Sequence, residues 1–230
     1  MRLCFVLVLL LATQIAMSGR AMAASFDCKR AATAVERQIC ADPALSKLDD
    51  RAFAAYNDAA EALGLKPDDK NPLSDLLLRG HQEWTAARDR CGAASGCLLT
   101  QYLRRIGVLN FNTDPQAKSP VDPFVGRYEF SVEPVRTLVI MRGPENVALM
   151  RVTVTGKDFS CDFSGVGRSD RGGNLRVVRD DFDGTKQGSH TLLLTPSRVG
   201  LVAKRADPRD DISSKFCDAG GSLEQPFPRR

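Results

Sequence analysis

The sequence predicts an α+β fold in which a disulfide-stapled domain of antiparallel helices, a hairpin or small bundle, precedes a small antiparallel β-barrel or sandwich. Three observations support this prediction. A short apolar segment opens the chain, six cysteines follow it, and the hydrophobic pattern changes from a helical to a strand period near the middle of the 230 residues. Together they describe a chain that is processed, oxidised and folded in two parts.

The first 23 residues have the features of a cleaved signal peptide. Arg2 supplies a positive charge, an apolar stretch runs over residues 5–17, and Ala21-Met22-Ala23 match the small-x-small cleavage pattern. The apolar stretch is shorter than the roughly 20 residues of a permanent membrane helix, although a retained anchor is the alternative. We therefore expect a periplasmic or secreted chain that begins near Ala24 and has no membrane span after removal of the signal peptide.

Six cysteines remain after Cys4 leaves with the signal peptide, namely Cys28, Cys40, Cys91, Cys97, Cys161 and Cys217. An even number of cysteines in an exported chain indicates three disulfides. Cys161 and Cys217 are the two cysteines of the second half, so we expect them to pair. The four cysteines of the first half allow three pairings, and the sequence does not choose among them.

The first half of the mature chain carries helix start and stop signals around apolar stripes. Thr33 and Glu36 match a capping box, which predicts a short helix that ends near Cys40. Asp42-Pro43 and Asn71-Pro72 each place an N-cap residue before a proline at the first helical position. Apolar residues then recur at steps of three and four, which predicts three longer helices, over about 43–63, 72–91 and 98–109. Short connections between these helices predict antiparallel packing.

The second half has a strand pattern and is separated from the helices by a polar stretch. Residues 111–123 contain three prolines and no apolar period, which predicts a linker between a helical domain at 24–110 and a β domain at 124–230. Turn signals and short alternating segments predict seven strands, at 126–132, 136–142, 147–155, 159–166, 175–179, 190–195 and 199–204. No helix signal appears among them.

No residue pattern in the mature chain predicts an active site. His81 and His190 lie outside any nucleophile-elbow pattern, and every mature cysteine has an expected partner. Adjacent acids such as Asp180-Asp181 suit a solvated surface better than a glycosidase cleft. Because the chain also lacks a C-x-x-C pair and a phosphate-binding glycine loop, we expect no enzyme: no catalytic residue, no metal and no cofactor.

The charge pattern argues against nucleic acid as a partner. The net charge of +4 becomes +2 when Arg2 and Arg20 leave with the signal peptide, and basic residues are interleaved with acidic ones in both halves. A nucleic-acid-binding protein usually presents a basic face. The chain is therefore expected to bind no nucleic acid.

The only tryptophan, Trp84, lies on the apolar stripe of the predicted helix at 72–91, so we expect it to pack in the core. Arg88 follows one turn later and could lie along the indole ring or pair with an acid. Arg104 and Arg105 are expected opposite the apolar stripe of the last helix. All three arginines are interpreted as structural clamps.

Several of these residues stand in a specific order over residues 25–109. Ser25-Phe26-Asp27-Cys28 and the capping box open the pattern, and Gln82-x-Trp84-x-x-x-Arg88-x-x-Cys91 and Cys97-Leu98-x-x-x-Tyr102-x-x-Arg105 close it. This half of the chain resembles the N-terminal domain of the LprI-type lysozyme-inhibitor family. Besides the cysteines, the residues that carry the resemblance are Thr33, Glu36, Asp49, Tyr56, Gln82, Trp84, Arg88, Tyr102 and Arg105, for which structural roles are expected.

The resemblance implies an exported bacterial envelope protein that inhibits c-type lysozyme by binding, because the family is exported and its namesake is a lysozyme-inhibiting lipoprotein. This chain differs from the namesake in lacking a lipid-bearing cysteine. Residues 164–168 also lack the tyrosine of the Ser-Gly-x-x-Tyr motif of other β-barrel lysozyme inhibitors. Because lysozyme is cationic, exposed acids are the expected contacts, namely Asp49, Asp50, Asp68 and Asp69.

Two alternatives stand beside inhibition. The first is a non-inhibitory periplasmic binding or structural module whose β domain holds a ligand or an envelope partner. A cavity inside the barrel would favour this alternative, and an interior filled by side chains would argue against it. The second alternative is an unrecognised envelope hydrolase.

Overall fold

A computed structural model of the chain describes residues 24–182 and 187–229. The predicted signal peptide, with Cys4, lies outside the described residues. Among the helices of the described ranges, none combines the length and hydropathy of a membrane-spanning segment.

The first half of the chain is helical, as predicted. The helices are α1 (Ala34–Ala41), α2 (Pro43–Ala62), α3 (Pro72–Asp89) and α4 (Ser95–Leu109). Their start signals act as the sequence predicts: the Thr33 hydroxyl accepts a hydrogen bond from the Glu36 backbone N–H, and the Glu36 carboxylate accepts from the Thr33 N–H. The side chains of Asp42 and Asn71 accept from backbone N–H groups of the first turns of α2 and α3.

One apolar cluster joins the helices at their disulfide-bonded end. It contains Ile39 of α1, Leu45 of α2, and Leu98 and Tyr102 of α4, with Trp84 of α3 packed against it. Of the three pairings that the sequence left open, the structure has the local one, which joins Cys28 to Cys40 and Cys91 to Cys97. Each of these bridges therefore braces a single helix or turn.

The second half is one antiparallel sheet of eight strands that curls into a nearly closed barrel. The strands are β1 (Gly126–Phe130), β2 (Val135–Arg142), β3 (Ala148–Thr155), β4 (Ser160–Ser169), β5 (Leu175–Phe182), β6 (Gln187–Ser197), β7 (Gly200–Arg205) and β8 (Pro226–Pro228). They pair in chain order, from β1 to β8. Arg229, after β8, donates hydrogen bonds to the Val125 carbonyl, just before β1, and to the Tyr128 hydroxyl of β1, so the two outer strands lie close together.

Two elements of this half differ from the sequence prediction. The seven predicted strands are present, but the eighth, β8, was missed because prolines at both of its ends argue against a strand. A short helix, α5 (Ile212–Phe216), also lies between β7 and β8, where no helix was expected. The expected disulfide joins Cys161 of β4 to Cys217, the residue after α5, and holds this connection against the barrel.

Side chains occupy the inside of the barrel. One apolar cluster of buried residues combines side chains from β1 to β8, including Tyr128, Ile140, Phe163, Leu192 and Phe227. Strands β2 and β3 are buried on both faces, so their outer faces must pack against something other than this interior.

The helices cover those outer faces. Leu63, Leu77 and Leu109 of the helical half form one buried cluster with Met141 of β2 and Leu149 of β3. The predicted linker takes part as well, since Phe111 is buried in this cluster and Val121 in the barrel interior. The two halves are therefore packed together through an apolar interface that includes the segment between them.

Candidate functional site

A buried hydrogen-bond network connects the start of the described chain to α2 and α4. The Tyr102 hydroxyl donates to Oδ1 of Asp49 at 2.6 Å, and the backbone N–H and hydroxyl of Ser25 donate to Oδ2 at 2.8 and 2.6 Å. Burial and the neighbouring Asp49 carboxylate hold the pKa of Tyr102 far above its ordinary value, so the phenol remains a donor. Asp49 is 4% exposed and both its oxygens accept hydrogen bonds. The expectation that Asp49 contacts a partner at the surface is therefore wrong.

Trp84 packs beside this network. Its indole N–H donates to the Gln101 carbonyl at 3.1 Å, and its ring meets Tyr102 edge-on with centroids 5.4 Å apart. The Arg88 guanidinium lies 5.3 Å from the indole centroid and also pairs with Asp89 at 2.8 Å. Both roles considered for Arg88 are therefore present, and Trp84 packs, partly buried, against the apolar cluster of the helices.

Arg105 lies on the inner side of α4, contrary to the prediction that placed it opposite the apolar stripe. It follows Tyr102 by three residues and Leu98 by seven, so the helical period places all three on one face. The residue is 8% exposed, and its Cζ is 5.9 Å from the Trp84 ring centroid. The sequence prediction was wrong here because the charge of Arg105 was taken to place it on the solvated face, whereas its spacing from Leu98 and Tyr102 places it on the inner face.

The Arg105 guanidinium is buried without a hydrogen-bond acceptor. Its Nε and Nη2 atoms are shielded from solvent and donate to no atom of the described chain. Burial lowers the pKa of Arg105 to about 10, which leaves the group charged at neutral pH. A buried cation with unused donors is costly to fold, so this group is an anomaly of the kind that functional sites contain.

Two further aromatic groups stand beside Arg105. The Tyr56 ring meets the His81 ring at 5.1 Å, and His81 in turn lies 5.5 Å from the Trp84 ring. Burial, followed by the charges of Arg105 and Arg88, lowers the pKa of His81, so its imidazole is neutral at pH 7. Six of the nine residues of the resemblance and His81 thus form one polar–aromatic cluster, which we call the Arg105 cluster: Asp49, Tyr56, His81, Trp84, Arg88, Tyr102 and Arg105.

A cleft of about 290 Å³ lies where α3, α4 and the β2–β3 turn meet. Arg105 and Gly80 line it on the helical side, and Met141, Pro144 and Leu149 line it on the barrel side. Two of its acids already have cationic partners: Asp114 is bound by Arg104 at 2.6 Å, and Glu145 by Arg79 at 2.5 Å. This cleft is therefore where the Arg105 cluster meets the barrel.

The other predicted site residues lie elsewhere. Gln82 is exposed on α3, and Thr33 and Glu36 act as the cap of α1. Asp68 is exposed in the α2–α3 connection, where the neighbouring Asp69 accepts a hydrogen bond from the Lys66 N–H. Asp50 is half-buried, and burial followed by the charge of Asp49 raises its pKa.

A second polar pair, not anticipated from the sequence, connects β6 to the segment that precedes α5. His190 Nδ1 lies 2.7 Å from Asp210 Oδ1, and the Thr191 N–H donates to the other carboxylate oxygen. The His190 ring also meets Phe216 of α5 edge-on at 5.3 Å. Because 20 residues separate His190 from Asp210, no local pattern could have predicted the pair.

In the two described ranges, no three His, Cys, Asp or Glu side chains are grouped closely enough to hold a metal ion. No protein-family model, curated protein or solved structure matches this chain. The Arg105 cluster and the cleft beside it are the candidate functional site.

Proposed function

We propose that this chain is an exported bacterial envelope protein that acts by binding, and that its target is c-type lysozyme, which it inhibits. The convergence of the residues that resemble the LprI-type family supports this proposal. Asp49, Trp84 and Tyr102 come from three helices and contact one another directly or through one neighbour. Because these residues contact one another, their match to the family pattern is better explained by a common structural role than by chance similarity of the sequences.

The disulfides support the proposed location. Three bridges are formed among the described residues, and disulfides of this kind persist in oxidising compartments such as the periplasm. Two of them fix local segments of the helical half, which lowers the entropic cost of ordering these segments when a large partner binds.

The contact surface is best sought among the acids that remain available. Asp68 is exposed in the α2–α3 connection, whereas Asp49 is engaged inside the helical half. An exposed acid at this position suits the rim of an interface with a cationic enzyme.

The alternative of a ligand held inside the barrel receives less support. Tyr128, Phe163 and Phe227 belong to the cluster of apolar side chains that occupies the interior. A filled small barrel acts as a packed core rather than as a ligand cavity. A small ligand is better accommodated in the cleft between the helices and the barrel.

A cell-wall lysis assay tests the proposal. The purified, oxidised protein is expected to reduce lysis by c-type lysozyme at about micromolar concentration, the range of a specific interface. Undiminished lysis at a large molar excess of the protein would contradict inhibition.

Charge reversal then tests the contact surface. Asp68→Lys is expected to weaken inhibition by about three- to tenfold, because a rim charge mainly changes the association rate. Asp158→Lys makes the same charge change on an exposed residue of the β3–β4 turn and serves as the matched control. Equal loss with both variants would place the contact elsewhere on the molecule.

A further inference from the structure

We infer that the cleft between the helices and the barrel is a binding site for a small carboxylate with an aliphatic tail, whose carboxylate pairs with the Arg105 guanidinium. This inference is independent of lysozyme inhibition. It rests on a buried guanidinium that lines this cleft and has no hydrogen-bond acceptor for its Nε and Nη2 atoms among the described residues.

The first argument is the unsatisfied charge. Arg105 is 8% exposed. The hydrogens on its Nε and Nη2 atoms have no hydrogen-bond acceptor among the described residues. The Trp84 ring stabilises the charge through its π face, but it does not supply oxygen acceptors in the guanidinium plane. A carboxylate oxygen supplies such an acceptor, and the hydrogen bond is strengthened because both groups are charged.

The second argument is the glycine beside Arg105. A β-carbon added to Gly80 would lie 3.8 Å from Arg105 Nη1 and 3.6 Å from Pro144 Cδ, which is ordinary contact. Alanine would therefore fit there, although glycine in a helix interior costs about 1 kcal/mol relative to alanine. The missing side chain leaves space beside Nη1, the guanidinium nitrogen that is not among the shielded atoms and is therefore the one that a ligand can reach.

The walls of the cleft define the rest of the ligand. Polar groups supply the larger part of the wall, and the apolar part, which suits a short aliphatic chain, comes from Leu76, Leu77, Val108, Met141 and Leu149. Its volume of about 290 Å³ is close to the lower limit of ligand pockets, about 300 Å³, so the ligand is small.

The charges around the cleft favour a monoanion over a phosphate. Glu83 also lines the cleft, and Asp114 and Glu145 add two carboxylates that are neutralised by arginines. Arg142, the other cation of the wall, donates to the Ala117 carbonyl and lies 3.7 Å from Asp122. One free positive charge near these acids accommodates one negative charge better than two.

Trp84 provides the measurement, because it is the only tryptophan and lies against Arg105. Titration of the oxidised protein with hexanoate is expected to change its fluorescence saturably. Hexanamide, the neutral analogue, should bind about tenfold more weakly or worse, because it lacks the charge that strengthens the hydrogen bonds. N-acetylated leucine, tested in parallel, distinguishes a peptide carboxyl end from a free aliphatic acid by which of the two binds more tightly.

Three variants locate the site. Arg105→Gln removes the cation and Gly80→Leu fills the cleft without altering Arg105, so both are expected to reduce hexanoate affinity by about tenfold or more. Arg209→Gln removes an exposed arginine that pairs with Asp207 and does not line the cleft, and it should bind hexanoate nearly as the unaltered protein does. Near-ultraviolet circular dichroism checks that each variant is folded. If Arg105→Gln does not fold, the hexanoate affinity of Gly80→Leu alone tests the site.

Several outcomes would overturn the inference. The first is the absence of saturable binding up to about 10 mM hexanoate, which corresponds to a negligible affinity. The second is that hexanamide binds as tightly as hexanoate, and the third is that folded Gly80→Leu binds hexanoate as tightly as the unaltered protein. Tighter binding of hexyl phosphate than of hexanoate would refute the carboxylate assignment.

Discussion

His81 is held neutral by its neighbours. Its ring lies between Tyr56 and Trp84, and both burial and the charges of Arg105 and Arg88 lower its pKa. A histidine whose folded pKa lies below its unfolded value binds its proton more readily in the unfolded chain. Protonation at this position therefore favours unfolding.

We expect the free energy of unfolding to fall as the pH drops through 6.5, the ordinary histidine pKa, and to level off below the folded pKa. His81→Gln, which stays neutral, should reduce this loss between about pH 7 and pH 5. Urea unfolding at several pH values measures the effect. Carboxylates such as Asp114, whose pKa is lowered from 3.8, contribute only at more acidic pH. An identical pH dependence in the variant would show that His81 is not the responsible group.

At single positions, the sequence predicted apolar residues better than polar ones. Trp84 packs against the core on the side that its stripe indicates, but Asp49 and Arg105 are buried on stripes too and were assigned to the surface because of their charge. Asp49 follows Leu45 by four residues and precedes Ala52 by three. The helical period therefore indicated that Asp49 and Arg105 face inward. The side chains that they contact could not be predicted, because those contacts depend on how the helices pack.

At the level of elements, start signals and alternation located the helices and seven strands. The capping residues Thr33, Asp42 and Asn71 act locally, so the sequence shows them directly. Strand β8 depends on its place beside β7 and could not be predicted from its own residues. The unbroken apolar runs at 138–141 and 147–150 indicate strands buried on both faces, and they could have predicted the helix–barrel interface.

The disulfides should differ in how much they stabilise the fold. Cys161 and Cys217 are 56 residues apart, whereas Cys91 and Cys97 are six residues apart. In the loop-entropy model the longer bridge contributes about 4 kcal/mol and the shorter about 2 kcal/mol. Urea unfolding of the double alanine variants C161A/C217A and C91A/C97A measures the two contributions. Equal or inverted losses would show that strain or residual structure outweighs loop entropy here.

The whole molecule is held together by the interface between the helices and the outer faces of β2 and β3. Leu149 is fully buried there, in one cluster with Leu77 and Leu109 of the helices. The division into two domains remains a prediction from the sequence. It can be tested by asking whether the two halves unfold together, because the interface should couple their unfolding.

We expect the helical half and the barrel to unfold in one transition. Leu149→Ala should destabilise both halves by about 2–5 kcal/mol, because it leaves a cavity between them. Trp84 fluorescence reports the helices, and hydrogen exchange of β5–β7 peptides reports the barrel. Leu99→Ala makes the same change on an exposed residue of α4 and should cost less than about 0.5 kcal/mol. Two separate transitions would show that the interface does not couple the halves.

The order of the strands has a kinetic consequence. Each strand pairs with its neighbour in the chain, so most of the sheet can form by closing short loops, which cost little entropy. The exception is the junction between the first and last strands, where Arg229 reaches Tyr128 across 101 positions of the chain. Folding of the barrel is therefore expected to proceed hairpin by hairpin and to finish at that junction.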